Sequence, residues 1–356
     1  MTGRWVRHVL WWVVLVILMG CGSTLVGSDE PDDPESLFEA FWASYDRHYA
    51  HFQLKGIDWH QVYDEHRDKV GPETTDEELF EIFGEMIAEL EDGHVYVVAD
   101  GRRALSNAHI RSGRSTYNGE VVRENYLRDS SQKLAAGRIT YGRIADQFGY
   151  LRLSTLSGGD GFAHNAEGWI EEVSVAMEEL SDVEAMIIDL RNNGGGRASN
   201  SKFVAGHFAD ARSKFLVTRS RSGPGYDDFS EPRHWYVEPV SEGTFTAPVV
   251  VLTNRRTFSA AEWLTLALRQ YDHVTHIGSH TGGGLAMFLP RQLANGWMYT
   301  ISVQDTRCPM GRSYERVGIA PHRYLKNGED DLDDGHDAML KEAVDYLKGQ
   351  LGNHEG

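Results

Sequence analysis

Val249-Val250-Val251-Leu252-Thr253-Asn254-Arg255-Arg256-Thr257-Phe258-Ser259-Ala260-Ala261-Glu262 is the stretch on which the reading of this chain turns. Its apolar, mostly β-branched start suits a strand buried on both faces. The polar residues that follow suit a short turn, and Ser259 opens a helix that runs on to Leu268. A serine at that junction lifts its hydroxyl above a sheet edge. The unpaired N–H groups of the first helical turn, with the helix dipole, favour negative charge developing beside it. Serine at a helix start is also, most commonly, a plain cap. The stretch alone leaves both roles open.

Working outward, the same rhythm recurs. Residues 149–153 predict a strand, 167–180 a helix, 185–190 a buried strand and 199–208 a helix. Strands alternating with helices specify an α/β layer architecture with a largely parallel sheet. Upstream, Leu37, Phe38, Phe41, Trp42 and Tyr45 fall at helical spacing. Thr74-Thr75-Asp76-Glu77-Glu78 is a cap-like start for a further helix through Leu79, Phe83 and Leu90. The expected organisation is a signal segment over 1–20, a tether over 21–35, a small N-terminal helical unit over 36–91, connecting strands and loops over 92–145, and an α/β catalytic domain over 146–345. The polar connection over 100–146 is short for an inserted peptide-binding module.

Two further segments bear on Ser259. Asp189-Leu190-Arg191-Asn192-Asn193-Gly194-Gly195-Gly196 follows a buried strand, and its glycines permit positive φ and close backbone approach. Such a loop can aim an N–H at an oxyanion, or it can be a simple turn; the Gly-Lys-Ser/Thr ending of a phosphate loop is absent. Asp92-Gly93-His94 puts a histidine where a helix gives way to a strand. One histidine among 16 is ordinarily structural.

Taken together, residues 90–95, 148–153, 187–196, 249–262, 274–284 and 311–321 resemble, in order, the tail-specific protease/tricorn serine-peptidase superfamily. The resemblance implies a Clp-protease/crotonase-like core. It implies Ser259 as nucleophile, the Ala260 N–H as one oxyanion donor, and Gly194 or Gly195 as the other. Processing-type members carry a lysine in a Thr-x-Gly-Lys-Gly stretch. Here that stretch is Gly278-Ser279-His280-Thr281-Gly282-Gly283-Gly284, and no lysine lies between Ser259 and Lys326. A serine hydroxyl still needs a base. The tricorn-like branch supplies a histidine ahead of the sheet, matched by His94, and a glutamate near the end, matched by Glu315 in Ser313-Tyr314-Glu315-Arg316-Val317-Gly318. Gly93 stands where tricorn has a serine. His280 is the rival base, and Glu262 reads as helical structure facing the site or a partner helix.

Composition narrows the rest. The net charge of −18 repels phosphate backbones, so nucleic acid is not expected as a partner. Aromatic residues at 11% exclude a disordered chain. The acidic runs 29–33 and 329–337 read as solvated segments. Arg4, Arg7 and His8 precede an apolar run from Val9 to Met19, too short to span hydrocarbon, which ends Leu18-Met19-Gly20-Cys21. This resembles a bacterial lipobox. It implies acylation of Cys21, a membrane anchor and a place in the cell envelope; the other readings of the segment are an ordinary secretory signal that happens to contain a cysteine, or an uncleaved anchor. Cys308 is the other cysteine, so no disulfide framework or metal cluster is expected. No cofactor is called for. The expected activity is hydrolysis of peptide bonds in a peptide or protein substrate through an acyl-serine. The alternative is a non-catalytic ligand-binding lipoprotein on the same fold, as in interphotoreceptor retinoid-binding protein. A metal hydrolase lacks its ligand spacing and an α/β-hydrolase its Gly-x-Ser-x-Gly.

Overall fold

The computed structural model describes residues 31–106, 115–158, 166–240, 243–328 and 330–352. The expected signal segment and Cys21 lie outside them. The chain divides into two compact units. The first takes residues up to 107 together with 220–230 and 286–305; the second takes the rest.

In the first unit, the helices Pro34–His48, Trp59–Arg67 and Asp76–Ala88 have local start signals. Asp33 caps Pro34–His48 by accepting from the Ser36 N–H, and Asp58 accepts from the N–H groups of His60 and Gln61. Thr75 and Glu78 form a reciprocal capping box. Their apolar faces meet an antiparallel sheet of four strands, in the order Phe288–Gln292, Met298–Ser302, Tyr96–Ala99, Arg102–Leu105. Phe41 stacks on Phe83 at 4.0 Å between ring centroids and tilts against Tyr299 at 5.1 Å. The hairpin 288–302 was expected inside the catalytic domain, at 146–345. It belongs to the first unit because Leu293, Trp297, Tyr299 and Ile301 are buried in that unit's core with Leu37, Phe41 and Phe83.

The second unit is built on seven strands in the order Arg323–Tyr324, Val274–Gly278, Val249–Thr253, Ala185–Asp189, Phe148–Leu153, Ile139–Ile144, Gln132–Leu134. The first five run parallel and the last two are antiparallel additions. The central strands are buried at every position, which is why they read as continuous apolar runs. Met186, Ile188, Val249 and Val251 cluster with the helices Ala166–Glu179, Ala198–Gly206 and Ala260–Leu268. Ile187, Val250 and Leu252 turn the other way, to the terminal helix Ala338–Gly352. The chain is thus a mixed α/β protein with an N-terminal helical region, as the strand–helix rhythm predicted.

Candidate active site

Neighbouring parallel strands bring their carboxyl ends together, and here Val249–Thr253 lies beside Ala185–Asp189. That adjacency joins two motifs far apart in sequence. Asn192 donates its N–H to Asn254 Oδ1 at 3.0 Å, Thr257 Oγ1 donates to the Leu190 carbonyl at 2.8 Å, and Phe258 donates its N–H to the Asn193 carbonyl at 2.9 Å. Ser259 follows immediately, with φ 57° and ψ −127°. A non-glycine residue in that region is held there at a cost of about 1–3 kcal/mol, and such residues cluster at functional sites.

The glycine loop is built around this turn. A Cβ on Gly195 would lie 2.7 Å from Ser259 Cβ and 2.9 Å from the Ala260 nitrogen, and Gly195 has φ 101°. Only glycine fits. Gly195 donates its own N–H to Asn193 Oδ1 at 2.8 Å, so that donor is already engaged. Among the described residues no acceptor is found for the Gly194 N–H, and the space beside its Cα is open. Ala260 is the first residue of its helix, so its N–H has no intrahelical acceptor.

The rest of the Asp189–Gly196 motif is structural. Arg191, fully buried, donates Nη2 to Asp189 Oδ2 at 2.5 Å and Nη1 to Asp337 Oδ1 at 2.7 Å. Asp337 in turn accepts the Leu340 N–H of the terminal helix at 3.1 Å. The acidic run 329–337 therefore does not end in solvent, as its composition suggested: Asp337 is buried as the partner of Arg191.

Glu262 is the residue whose role the sequence reading did not identify. Its side chain is fully buried and meets four donors. Oε1 accepts from Thr281 Oγ1 at 2.6 Å and from the Gly283 N–H at 2.8 Å; Oε2 accepts from the Gly284 N–H at 2.9 Å and the Ser259 N–H at 3.0 Å. Burial pushes this carboxyl up to about 7 against the pull of those hydrogen bonds, and the charge of Glu315 adds to the rise. Its place three residues after Ser259 is capping-box spacing, a signal available in the sequence. Glu315 accepts the next N–H along, that of Leu285, at 2.6 Å. The stretch that lacks the dyad lysine leaves no room for one. A Cβ on Gly284 would collide with the Phe258 ring, and one on Gly282 would lie 2.5 Å from the same ring. His280 is exposed, near the Tyr324 ring.

His94 lies in the first unit, whereas Ser259 and Glu315 lie in the second. It is buried, with its ring stacked on Phe288 at 5.0 Å. Its backbone is fixed on both sides: the N–H donates to Asp92 Oδ1 at 2.9 Å, and the carbonyl accepts from Thr300 Oγ1 at 2.6 Å. Asp92 accepts from the Tyr49 hydroxyl at 3.0 Å and lies 3.5 Å from Lys55 Nζ. Burial alone would raise the Asp92 carboxyl, but Lys55 and then His51 hold it well below the usual carboxylate range. The main chain of His94 is thus held by Asp92 and Thr300, with Lys55 beside the carboxylate.

Comparison with known proteins identifies the family. The profile of peptidase family S41 matches residues 147–325, and that of the tricorn protease C1 domain matches residues 31–88. The chloroplastic C-terminal processing peptidase of Tetradesmus obliquus is 28% identical over 190 residues, covering 53% of this chain and 37% of that protein. The carboxyl-terminal-processing protease of Synechocystis sp. is 27% identical over 220 residues, covering 60% of this chain and 47% of that one. The chain therefore spans less than half the length of either curated relative. A solved protein of Parabacteroides merdae is 29% identical with a TM-score of 0.79, covering 89% of this chain and 97% of that one. With half of its length matched by the family profile and the serine turn and glycine loop joined at adjacent strand ends, this chain belongs to peptidase family S41.

Proposed function

We propose that the chain is a serine peptidase that hydrolyses peptide bonds of a peptide or protein substrate through an acyl-serine at Ser259. The observation that carries the reading is the strained Ser259 turn, packed against Gly195 at the mouth of two parallel strands. His94 takes the serine proton as a neutral imidazole, and Glu315 is the orienting carboxylate of the same network. The oxyanion is met by the N–H groups of Ala260 and Gly194, Gly195 being committed to Asn193. Histidine rather than lysine as base is supported by the Phe258 ring, which fills the place of a side chain at Gly284. The names of the curated relatives favour trimming near a carboxyl terminus. The chain acts in the cell envelope, anchored through an acylated Cys21.

The test is active-site labelling. A fluorophosphonate probe is expected to phosphonylate Ser259 with loss of fluoride, with no labelling of Ser259→Ala and none of His94→Ala at neutral pH. A folded wild-type protein that takes up no probe and cleaves no peptide in a mixed library would instead support the non-catalytic, ligand-binding reading.

A further inference from the structure

Four donors converge on one buried carboxylate. Two come from the glycine stretch, one from Thr281, and the fourth is the main-chain N–H of the serine itself. Thr281 is in turn fixed, since its Oγ1 accepts the Ile319 N–H at 2.7 Å. All the lone-pair directions of a carboxylate are thereby used, and the Thr281 hydroxyl is the one of the four partners that can turn to accept a proton. Such a bond set suits the ionised form. Protonation removes the charge that strengthens the three N–H bonds, that from Ser259 among them, while the Thr281 hydroxyl can turn to accept the new proton. Ser259 sits in a costly backbone conformation that relaxes unless its surroundings hold it. The bond from its N–H to Glu262 is one of the constraints.

We infer that Glu262 is a positioning residue: its carboxylate ties the Ser259 turn to the Thr281–Gly284 stretch and so holds the nucleophile in its strained, reactive conformation. This rests on the peptidase reading for its effect on rate, but not for its effect on structure. Glu315 is the charged side chain acting on Glu262, and its negative charge favours protonation. Holding the turn thus becomes pH-dependent in the neutral range. The tie strengthens as pH rises through about 7 and loosens below it. An imidazole base alone gives an acid limb of one proton. A base and a titrating clamp together give a limb approaching two.

The experiment compares wild type, Glu262→Gln and Thr281→Val, with circular dichroism reporting fold. Fluorophosphonate labelling rates are taken across pH, alongside hydrogen exchange of peptides covering 256–262 and 280–286. Glu262→Gln is expected to label roughly 10²-fold more slowly at pH 8, the loss typical of a slightly misplaced reacting group. Its acid limb is expected to fall from nearly two protons to one, which a merely structural defect would not do. Exchange in both segments should accelerate at least about tenfold, as loss of a bond to a charged group implies. Thr281→Val, which removes one donor and keeps the carboxylate, covers the case in which Glu262→Gln does not fold, and should show a smaller change of the same kind. Unchanged exchange in the folded variants, or an acid limb left at the wild-type slope, overturns the inference. If wild type takes no label, the peptidase reading fails, while the exchange measurements still decide whether Glu262 holds the turn.

Discussion

Ser259 combines three properties that an ordinary capping serine does not need together: positive φ, a glycine loop against its Cβ, and an N–H claimed by a buried carboxylate. Losing Ser259 should therefore remove hydrolysis almost entirely, by about 10⁴-fold or more in kcat. His94→Ala should cost about as much, because members of such a unit act together, while exposed His280→Ala should cost little; steady-state kinetics separates the two histidines. Activity should fall as pH drops through the imidazole range, near 6.5 before neighbours act on it. Gly284→Lys tests the lysine question from the other side. The side chain meets the Phe258 ring, so the variant should lose about 1–3 kcal/mol of stability, read by denaturant unfolding, and gain no lysine-dependent activity.

At the scale of elements, the strand ends are held by buried charge. Removing Arg191 leaves Asp337 without its cation in the interior and Asp189 with only Arg152, at 3.6 Å, and should cost about 3–5 kcal/mol. Arg191→Ala in urea melts measures this. Glu262 adds a pH term of definite sign. Its folded value, about 7, lies above the unfolded carboxyl value, so its contribution is fully present below that ordinary value and is lost as pH rises through 7. The shift corresponds to about 3 kcal/mol. His276 works oppositely. Burial first, then the charge of Arg269, holds it well below its usual value, so its stability is lost as pH falls below the ordinary imidazole range. The clean measurement is therefore the difference between wild type and Glu262→Gln, which should move against wild type from pH 5 to 7.5. The carboxylate that fixes the nucleophile turn thus costs stability at the pH where it works.

Across the whole molecule, the chain contributes to the first unit three times, and this limits how it can be cut. Deleting residues 31–88 removes the helices that cover Trp297, Tyr299 and Ile301, each worth about 1.5–3 kcal/mol when buried. The truncated protein should bind a hydrophobic dye and aggregate rather than persist as a minimal peptidase. Export belongs to this scale too. Cys21→Ala should abolish acyl labelling and release the protein from membranes; unchanged retention would mean an uncleaved anchor instead.

The sequence by itself determined the α/β class, the helical N-terminal region, the family and the serine turn. Each depends on patterns local in the chain: apolar runs of strand length, capping signals such as Thr75 with Glu78, and glycines at a strand exit. What it could not decide depends on which strands lie side by side and on what a loop meets after long excursions. Only the tertiary structure assigned the hairpin 288–302 to the first unit, since its alternation of apolar residues fits any core until register selects one. Only it showed the Gly195 N–H engaged by Asn193, and a fully buried Asp337 at the end of an acidic run. Glu262 is the sharpest case. Its spacing marks a helix cap, but a cap accepts one N–H, and the three further donors from Thr281, Gly283 and Gly284 arrive from about twenty residues away because the strands Val249–Thr253 and Val274–Gly278 pair in parallel.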